Sequence, residues 1–544
     1  MAKKEQEFSY GSSFLPEGEK KYSVIRWGWG GLNETDKIDT GQLTADSGMI
    51  CDPPYMVPAH KYKELIHLGA RVPYGTGYLA DANKHSGTPK NIAAFGSMLF
   101  LVWHDNAEEK MAVTKFVPIR DGDEHWDDFW IGSFQMGDAI IDDKEPRSIV
   151  LFNAVNMGGD EGNIAGYTYD KKVLVYPDCY SENAYAFPNY TEASSFNTDT
   201  NPIPYANYVT VFQSRVFGAT DVAVHASANN SYADYTLDDA SDISAAHAWY
   251  SMAQSNPEAN YTVTAVLTYD NHVVVFRKDF MQLVYNNKNP FRIVDVGKYG
   301  CDNYKSWTIL NGVLYFASDR KVYAYTGGNP KEISTKMDFG DLSGAVLGSY
   351  KDKVWMQTNT SLYIYKDGTW SDLGGAAFGW ADIKILQFAE TDYGLVALAE
   401  YHGENTSWGI ILLDWDNEII DPTTEDASAW DPQYTGNWYF ETDLMALGKL
   451  DVRRVKKFSM LCEGKTGATV SVFLFPDDLP HTFDANDYKV GSLTFDGNGF
   501  KLLRVLTRQF SSTMHKLRFV GSGYVKIYAA ELKIAWGGDI YAEG

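Results

Sequence analysis

The densest collection of chemistry-bearing side chains lies between Asp121 and Asp143, in the run DGDEHWDDFWIGSFQMGDAIIDD. Asp121, Asp123, Glu124, Asp127 and Asp128 stand there beside His125, Trp126 and Trp130. Carboxylates next to aromatic rings can hold a calcium ion or face a sugar, and glycosidases set carboxylates around a pocket. A calcium loop wants oxygen ligands at alternating positions, a glycine at the sharp turn and a distal glutamate. This run lacks that spacing, so a solvated acidic loop is expected. A second candidate is Tyr363-Ile364-Tyr365-Lys366-Asp367-Gly368-Thr369-Trp370, which has the turn portion of a sialidase Asp-box. It lacks the leading serine and the first aspartate at the required offset. A hairpin that packs its tryptophan produces the same appearance.

The remaining signals are weaker. His67, His104, His225, His272 and His402 are scattered singly, as packed or surface histidines are. Met157 to Gly162 is a glycine-rich run that reads as a turn. No GxSxG elbow, phosphate-binding glycine loop followed by lysine, or HExxH pair occurs. Cys51, Cys179, Cys301 and Cys462 lie far apart with no CxxC spacing, so reduced, buried thiols are expected rather than zinc. On these grounds the chain is expected to be no enzyme, with no cofactor and no metal.

The elements that would position such residues are strands. The 544 residues exceed one ordinary core, so two or three units are expected. The 36 Tyr, 28 Phe and 15 Trp favour an all-β class. The net charge of -24 disfavours a nucleic-acid groove or an anionic membrane surface as the main partner. The start, MAKKEQEFSYGSSF, has no apolar core of a signal peptide, and no run of 18 apolar residues occurs. Synthesis and folding in cytoplasm are therefore expected.

A strand-turn-strand grammar begins near Asn91. Seven segments follow it, at 92–119, 148–176, 208–227, two within 265–335, 345–373 and 384–416. The later ones recur about every 40 residues, the length of one four-stranded propeller blade. Asn311-Gly312 is a strong hairpin signal, because both residues tolerate positive φ. The expected architecture is a β-propeller of six to eight blades over 91–421, with insertions at 121–143 and 229–260. A stretch within the second insertion, Ala245 to Ala253, suggests a short helix or loop. Residues 1–90 read as an extended N-terminal arm docking on the body or a neighbour, with a short helix near His60 to Leu68. Past the acidic break at Pro422 to Pro432, residues 433–544 show about seven strands, the size of a C-terminal β-sandwich. Basic residues concentrate there, which suits head-to-tail contacts with acidic neighbours.

The parts that break the repeat are the expected partner contacts. They are Trp27, Trp29 and Leu32 in the arm, and Asp127, Asp128 and Trp130 in the first insertion. Trp249 stands in the second insertion, and Arg453, Arg454, Lys456 and Lys457 in the sandwich.

Several blocks together resemble a virion family. WGGLN, IDTGQL and PPYMVP in the arm, QSRVFGA, VVVFRKDFMQLVY with FRIVDVGKYG, and LNGVLYFASDRKVYAYTG carry the likeness. So do ETDLMALGKLDVRRVKKFSMLCEG, VSVFLFPDD and GSGYVKIYAAELKIAWGGD in the last unit. The chain resembles propeller-bearing tail proteins of tailed bacteriophages, including nozzle or hub subunits of short-tailed phages. That resemblance implies a virion tail protein made in the host cytoplasm, in a ring, commonly sixfold, around the DNA channel. It implies contacts with an adaptor or portal assembly and with fibres, non-specific passage of DNA, and no membrane span. Two other readings stay open: a glycan-binding or glycan-cleaving propeller, and a cytoplasmic propeller scaffold that binds peptides.

Overall fold

The computed structural model describes residues 22–27, 43–52, 55–59, 62–106, 110–120, 126–135, 149–153, 163–169, 172–176, 191–192, 207–219, 223–230, 249–252, 262–285, 291–374, 383–402, 407–415, 437–445, 453–476, 484–507 and 511–536. These residues form an all-β protein. Among them there is no α-helix, and none is long and apolar enough to cross a membrane.

Seven antiparallel sheets follow one another from residue 63 to residue 415. Blade 1 has six strands between Arg71 and Gln135, and blade 2 has four between Ile149 and Glu192. Blades 3 to 6 have four each, in 208–252, 263–297, 307–332 and 346–372. Blade 7 is made of Ile383–Thr391, Gly394–Tyr401 and Ser407–Trp415, with Lys63–Gly69 as its outermost strand. The chain therefore closes the ring of blades with a strand from its own beginning.

The hairpins explain themselves locally. His272–Arg277 reads HVVVFR and is buried on both faces, which suits a central strand. Asn311 and Gly312 adopt φ 51° and 74°, the primed turn that matches strand twist. Asp319-Arg320 and Gln213-Ser214 take positive φ at both positions as well, although none of these four is glycine.

Three local expectations change. Residues 63–69 form a strand rather than a helix, because Ile66 and Leu68 are buried two apart, the period of a strand and not of a helix. Within the first expected insertion, Trp126–Gln135 pairs with Lys110–Arg120 as a strand of blade 1. Within the second, Trp249–Met252 pairs with Ala223–Ala226 and completes blade 3.

The last unit is two packed sheets. One contains Arg453–Gly464, Gly499–Leu506 and Val525–Trp536, and the other Asn437–Thr442, Thr469–Pro476, Lys489–Thr494 and His515–Ser522. Phe519 stacks on Phe440 at 4.5 Å between ring centroids and meets Phe458 of the facing sheet at 6.2 Å. N-terminal strands complete both sheets. Tyr22–Trp27 and Tyr55–Pro58 pair with Val525–Trp536, Met49–Asp52 pairs with Tyr55–Pro58, and Leu43–Ser47 pairs with Asn437–Thr442.

The same N-terminal segment reaches blade 6. The Gly48 amide donates to the Asp372 carbonyl at 3.2 Å, and the Cys51 amide to Ser371 Oγ at 2.9 Å. Lys366 Nζ bridges Asp52 at 2.9 Å and Asp352 at 2.8 Å. One hydrophobic core runs from Phe440 and Ile527 through Met49 and Met56 to Val354 and Trp370. Propeller and sandwich thus share buried apolar surface, the dominant favourable term in folding.

Candidate functional site

The inner strands of six blades line a central cavity of about 380 Å³. Its walls come from Ile92 to Ala94, Tyr208, Ala265, residues 307–309, 346–349 and 387–390, so blades 1, 3, 4, 5, 6 and 7 all contribute. Small residues such as Ala93, Ala265 and Gly348 let these strands converge. A side chain at Gly348 would collide with the Phe388 ring, with its Cβ 2.4 Å away.

Hydroxyl and amide side chains sew neighbouring blades together around the cavity. Thr308 Oγ1 donates to Ser349 Oγ at 2.8 Å, and that hydroxyl donates to the Ile309 carbonyl at 2.9 Å. Thr268 bonds Thr210 at 3.1 Å in the same way between blades 3 and 4. The Ile92 amide donates to Gln387 Oε1 at 3.2 Å, joining blade 1 to blade 7. A buried donor or acceptor without a partner costs about 1–3 kcal/mol, so these links satisfy groups that convergence would otherwise strand.

At the end where the inner strands begin, the turn before blade 5 reaches over the cavity. Tyr304 lies 5.9 Å from the Tyr208 ring, and its hydroxyl accepts from Asn91 Nδ2 at 3.5 Å. Lys305 stacks on Tyr304 at 5.3 Å and donates to the Leu386 carbonyl at 3.2 Å. Glu390 faces the opposite end. Solvent reaches its carboxyl, yet protein surrounds it on the channel walls, and this desolvation raises its pKa above the ordinary carboxylate range.

The chemistry this permits is narrow. Lys305 and Glu390 are the charged groups lining the cavity among the described residues. Glycoside hydrolysis by the common route needs two carboxylates about 5 to 10 Å apart. The described lining offers one. The volume is at the small end for a ligand pocket. It cannot pass a duplex whose major groove alone is about 12 Å wide. Among the described residues no group of three His, Cys, Asp or Glu side chains is placed to hold a metal ion.

The residues singled out from the sequence lie elsewhere and are not brought together. Asp127, Asp128 and Trp130 stand on the strand Trp126–Gln135. The Trp130 ring packs against Tyr78 at 5.5 Å, inside blade 1. The acidic run before it, 121–125, and Trp29 and Leu32 lie outside the described residues. Trp27 ends the strand Tyr22–Trp27 opposite Ala530, and Trp249 lies opposite Ala226. Arg453 and Arg454 pair with Trp536 and Ala535, and Lys457 lies opposite Leu506. Lys456 sits at the bulge between Val455 and Lys457. The Asp-box-like turn is scaffold: Trp370 is buried, donates to the Ile333 carbonyl at 3.0 Å and packs on Phe339 at 4.9 Å. Cys51, Cys301 and Cys462 are buried thiols outside any disulfide, and burial pushes the Cys462 thiol up to about 12. Sequence reasoning missed Tyr304, Lys305 and Glu390, which carry no motif and meet only when the blades close.

No family model matches the sequence, and no curated protein matches it. Several solved structures align with part of this chain. The extracellular domain assigned to a hybrid two-component system of B. thetaiotaomicron aligns at 10% identity and TM-score 0.37, over 68% of this chain. This chain spans 44% of the length of that one. The AfRom2 CNH domain aligns at 9% identity and TM-score 0.36, over 64% of this chain and 99% of that one. The WD40 domain of Neurospora crassa Pan2 aligns at 9% identity and TM-score 0.37, over 61% of this chain and 90% of that one. The propeller assignment rests on the strand pairing itself.

Proposed function

We propose that this chain is a structural subunit of a bacteriophage tail, a propeller-sandwich body that assembles into a nozzle or hub ring. The observation that supports this best is the shared N-terminal segment. Its strands complete the sandwich, brace blade 6 and close blade 7, so the two units form one body. A ring subunit transmits force between its contacts, and a shared core resists the hinge motion expected of units joined only by a linker.

Charge fits the same role. A net charge of -24 repels DNA, so a lumen lined by such subunits lets a genome pass without adhering. In this reading DNA runs through the middle of the ring and not through the propeller, whose cavity is too small.

Native mass measurement of the purified chain, alone and mixed with adaptor, portal and fibre proteins, tests the reading. The expected result is a closed oligomer, or oligomerisation on an adaptor ring. A chain that stays monomeric and joins no particle overturns it. So does turnover of a polysaccharide panel that is lost on Glu390→Gln.

A further inference from the structure

One face of the sandwich is unlike the rest of the described surface. The strand Gly499–Leu506 alternates, with Phe500, Leu502, Arg504 and Leu506 pointing outward. Phe500 is 64% exposed, Leu502 48% and Leu506 80%. Leu461, directly opposite Leu502 on the neighbouring strand, is 39% exposed. Of the five large apolar side chains left exposed among the described residues, four therefore share this face. Scattered apolar residues need no explanation, but a contiguous set marks a contact surface.

The patch continues into an aromatic cluster and a rim of mixed charge, in which Glu463, opposite Phe500 and accepting from the Tyr528 hydroxyl at 2.6 Å, stands among more numerous cations. Phe500 packs on Tyr528 at 5.3 Å, and Tyr528 on Tyr55 at 4.8 Å. Lys526 Nζ lies 4.2 Å from the centroid of Tyr55. Lys457 faces Leu506, and Arg504 stands between Leu502 and Leu506 on the same face. Among the described residues Gly499–Leu506 is hydrogen-bonded to other strands along one side only, by Arg453–Gly464. Its other side presents backbone donors and acceptors. Lys501 does not guard that edge, because its Nζ folds back to Asp496 at 2.5 Å and the Thr494 carbonyl at 2.8 Å. Open edges flanked by exposed apolar side chains are rare in monomers because they recruit another chain.

Charge identifies the occupant. Residues 433–544 hold 14 Lys and Arg against 12 Asp and Glu, and residues 1–58, whose strands complete the same sheets, hold 6 against 9, so the sandwich is near neutral while residues 59–432 hold 27 against 50, a net of -23. An apolar face whose rim carries Lys457, Arg504 and Lys526 against Glu463 favours an acidic neighbour, and the propeller-bearing part of another copy of this chain is such a neighbour. The flat face, about four strands wide and eight residues long, gives roughly 500 Å². A stable complex covers about 800 Å² per partner, so the contact extends over the open edge.

We infer that the face formed by Phe500, Leu502, Leu506 and Leu461 docks the acidic propeller side of a second copy, in a head-to-tail contact. It rests on the ring reading above and names the surface that builds the ring. A head-to-tail contact uses two different patches and closes when its rotation divides a full turn.

The test uses the full chain. Light scattering and native mass spectrometry are run on the wild type, on Leu502→Lys/Leu506→Lys, on Arg504→Glu/Lys457→Glu, and on Arg504→Lys as the conservative control. All four positions point outward, so unchanged circular dichroism and melting temperature verify folding. The expected result is loss of the oligomer in the first variant, with the dissociation constant raised at least 100-fold. The charge-reversed variant weakens at low salt and loses salt dependence, and Arg504→Lys assembles normally. Cross-links from Lys457 or Lys501 to carboxylates of residues 1–432 of an isotope-labelled copy are expected. Variants that assemble like the wild type overturn the docking face while leaving the ring reading intact. A wild type that never self-associates, with or without tail components, overturns both, and one that uses this face only for a different protein overturns the second-copy assignment.

Discussion

Blades 4 to 6 and the closing region are built by opposite strategies. In residues 263–372 each sheet is made of four consecutive strands joined by short turns. In blade 7 and the sandwich, strands near the start of the chain pair with partners more than 300 residues away. Local hairpins form with little loop-closure entropy, whereas end-to-end pairing needs the whole ring in place first. The regular blades are thus a self-supporting scaffold, and the chain ends act as the clasp that makes one body of two units.

The strongest way to break this contrast is to remove the clasp. Deleting residues 1–69 takes away the outermost strand of blade 7 and four strands of the sandwich. Loss of the single cooperative melting transition is expected by calorimetry, with exposed apolar surface reported by dye binding. A truncated chain that melts like the full one would mean that the ends only decorate two independent units.

Core truncations sharpen the comparison. Met49→Ala and Phe316→Ala both empty fully buried positions, at a cost of about 2–5 kcal/mol each. Met49 lies in the core shared by the sandwich and blade 6, and Phe316 between blades 4 and 5. Hydrogen exchange should then separate them. Met49→Ala is expected to lower protection in both units, and Phe316→Ala only in its neighbouring blades.

The ion bridge between arm and blade gives a smaller, pH-dependent effect. For Asp352, burial pushes the pKa up, but the hydrogen bond from Lys366 and the charges of Lys353 and Lys366 outweigh it and leave the carboxyl below its ordinary range. For Lys366, burial pulls the pKa down, and the bonds to Asp352 and Asp52 more than restore it, so it ends above its ordinary range. A lowered carboxylate contributes stability above its unfolded pKa of about 3.9 that is lost as pH falls through the folded value. A raised lysine contributes below its unfolded pKa of about 10.4, and that part is lost as pH rises through the folded value. The bridge is therefore fully present between about pH 5 and pH 9. Asp352 is half exposed, so Lys366→Met should cost only about 1 kcal/mol in that window and less in high salt, as read by denaturant melts.

The smallest effect belongs to a turn. Arg320 holds φ 68° without being glycine, and its contact to Asp338 is exposed on both sides. Arg320→Gly is expected to stabilise blade 5 by about 0.5–1 kcal/mol, because glycine enters that region without a Cβ clash. Destabilisation on this change would show that the Asp338 contact matters more than the backbone.

The regular half of the propeller was legible in the amino-acid order. Strand alternation and the Asn311-Gly312 turn place blades 4 to 6 within a few residues, because hairpin geometry is set by neighbours in sequence. The reading failed where a segment's partner is distant. Lys63–Gly69 looked helical until its partner Ser407–Trp415 was in view, and Trp126–Gln135 and Trp249–Met252 looked like insertions until their blades lacked a fourth strand. The channel residues Tyr304, Lys305 and Glu390 stood on no motif, since they acquire a common environment only through closure.

Composition and local turn chemistry thus settled the all-β class and the repeat. Tertiary structure alone decided which strand closes blade 7, that both chain ends build the sandwich, and that Phe500, Leu502 and Leu506 face solvent together. The physical reason is register. A two-residue period says that alternate side chains share a face, but only pairing with a particular neighbour decides whether that face meets a core or remains open.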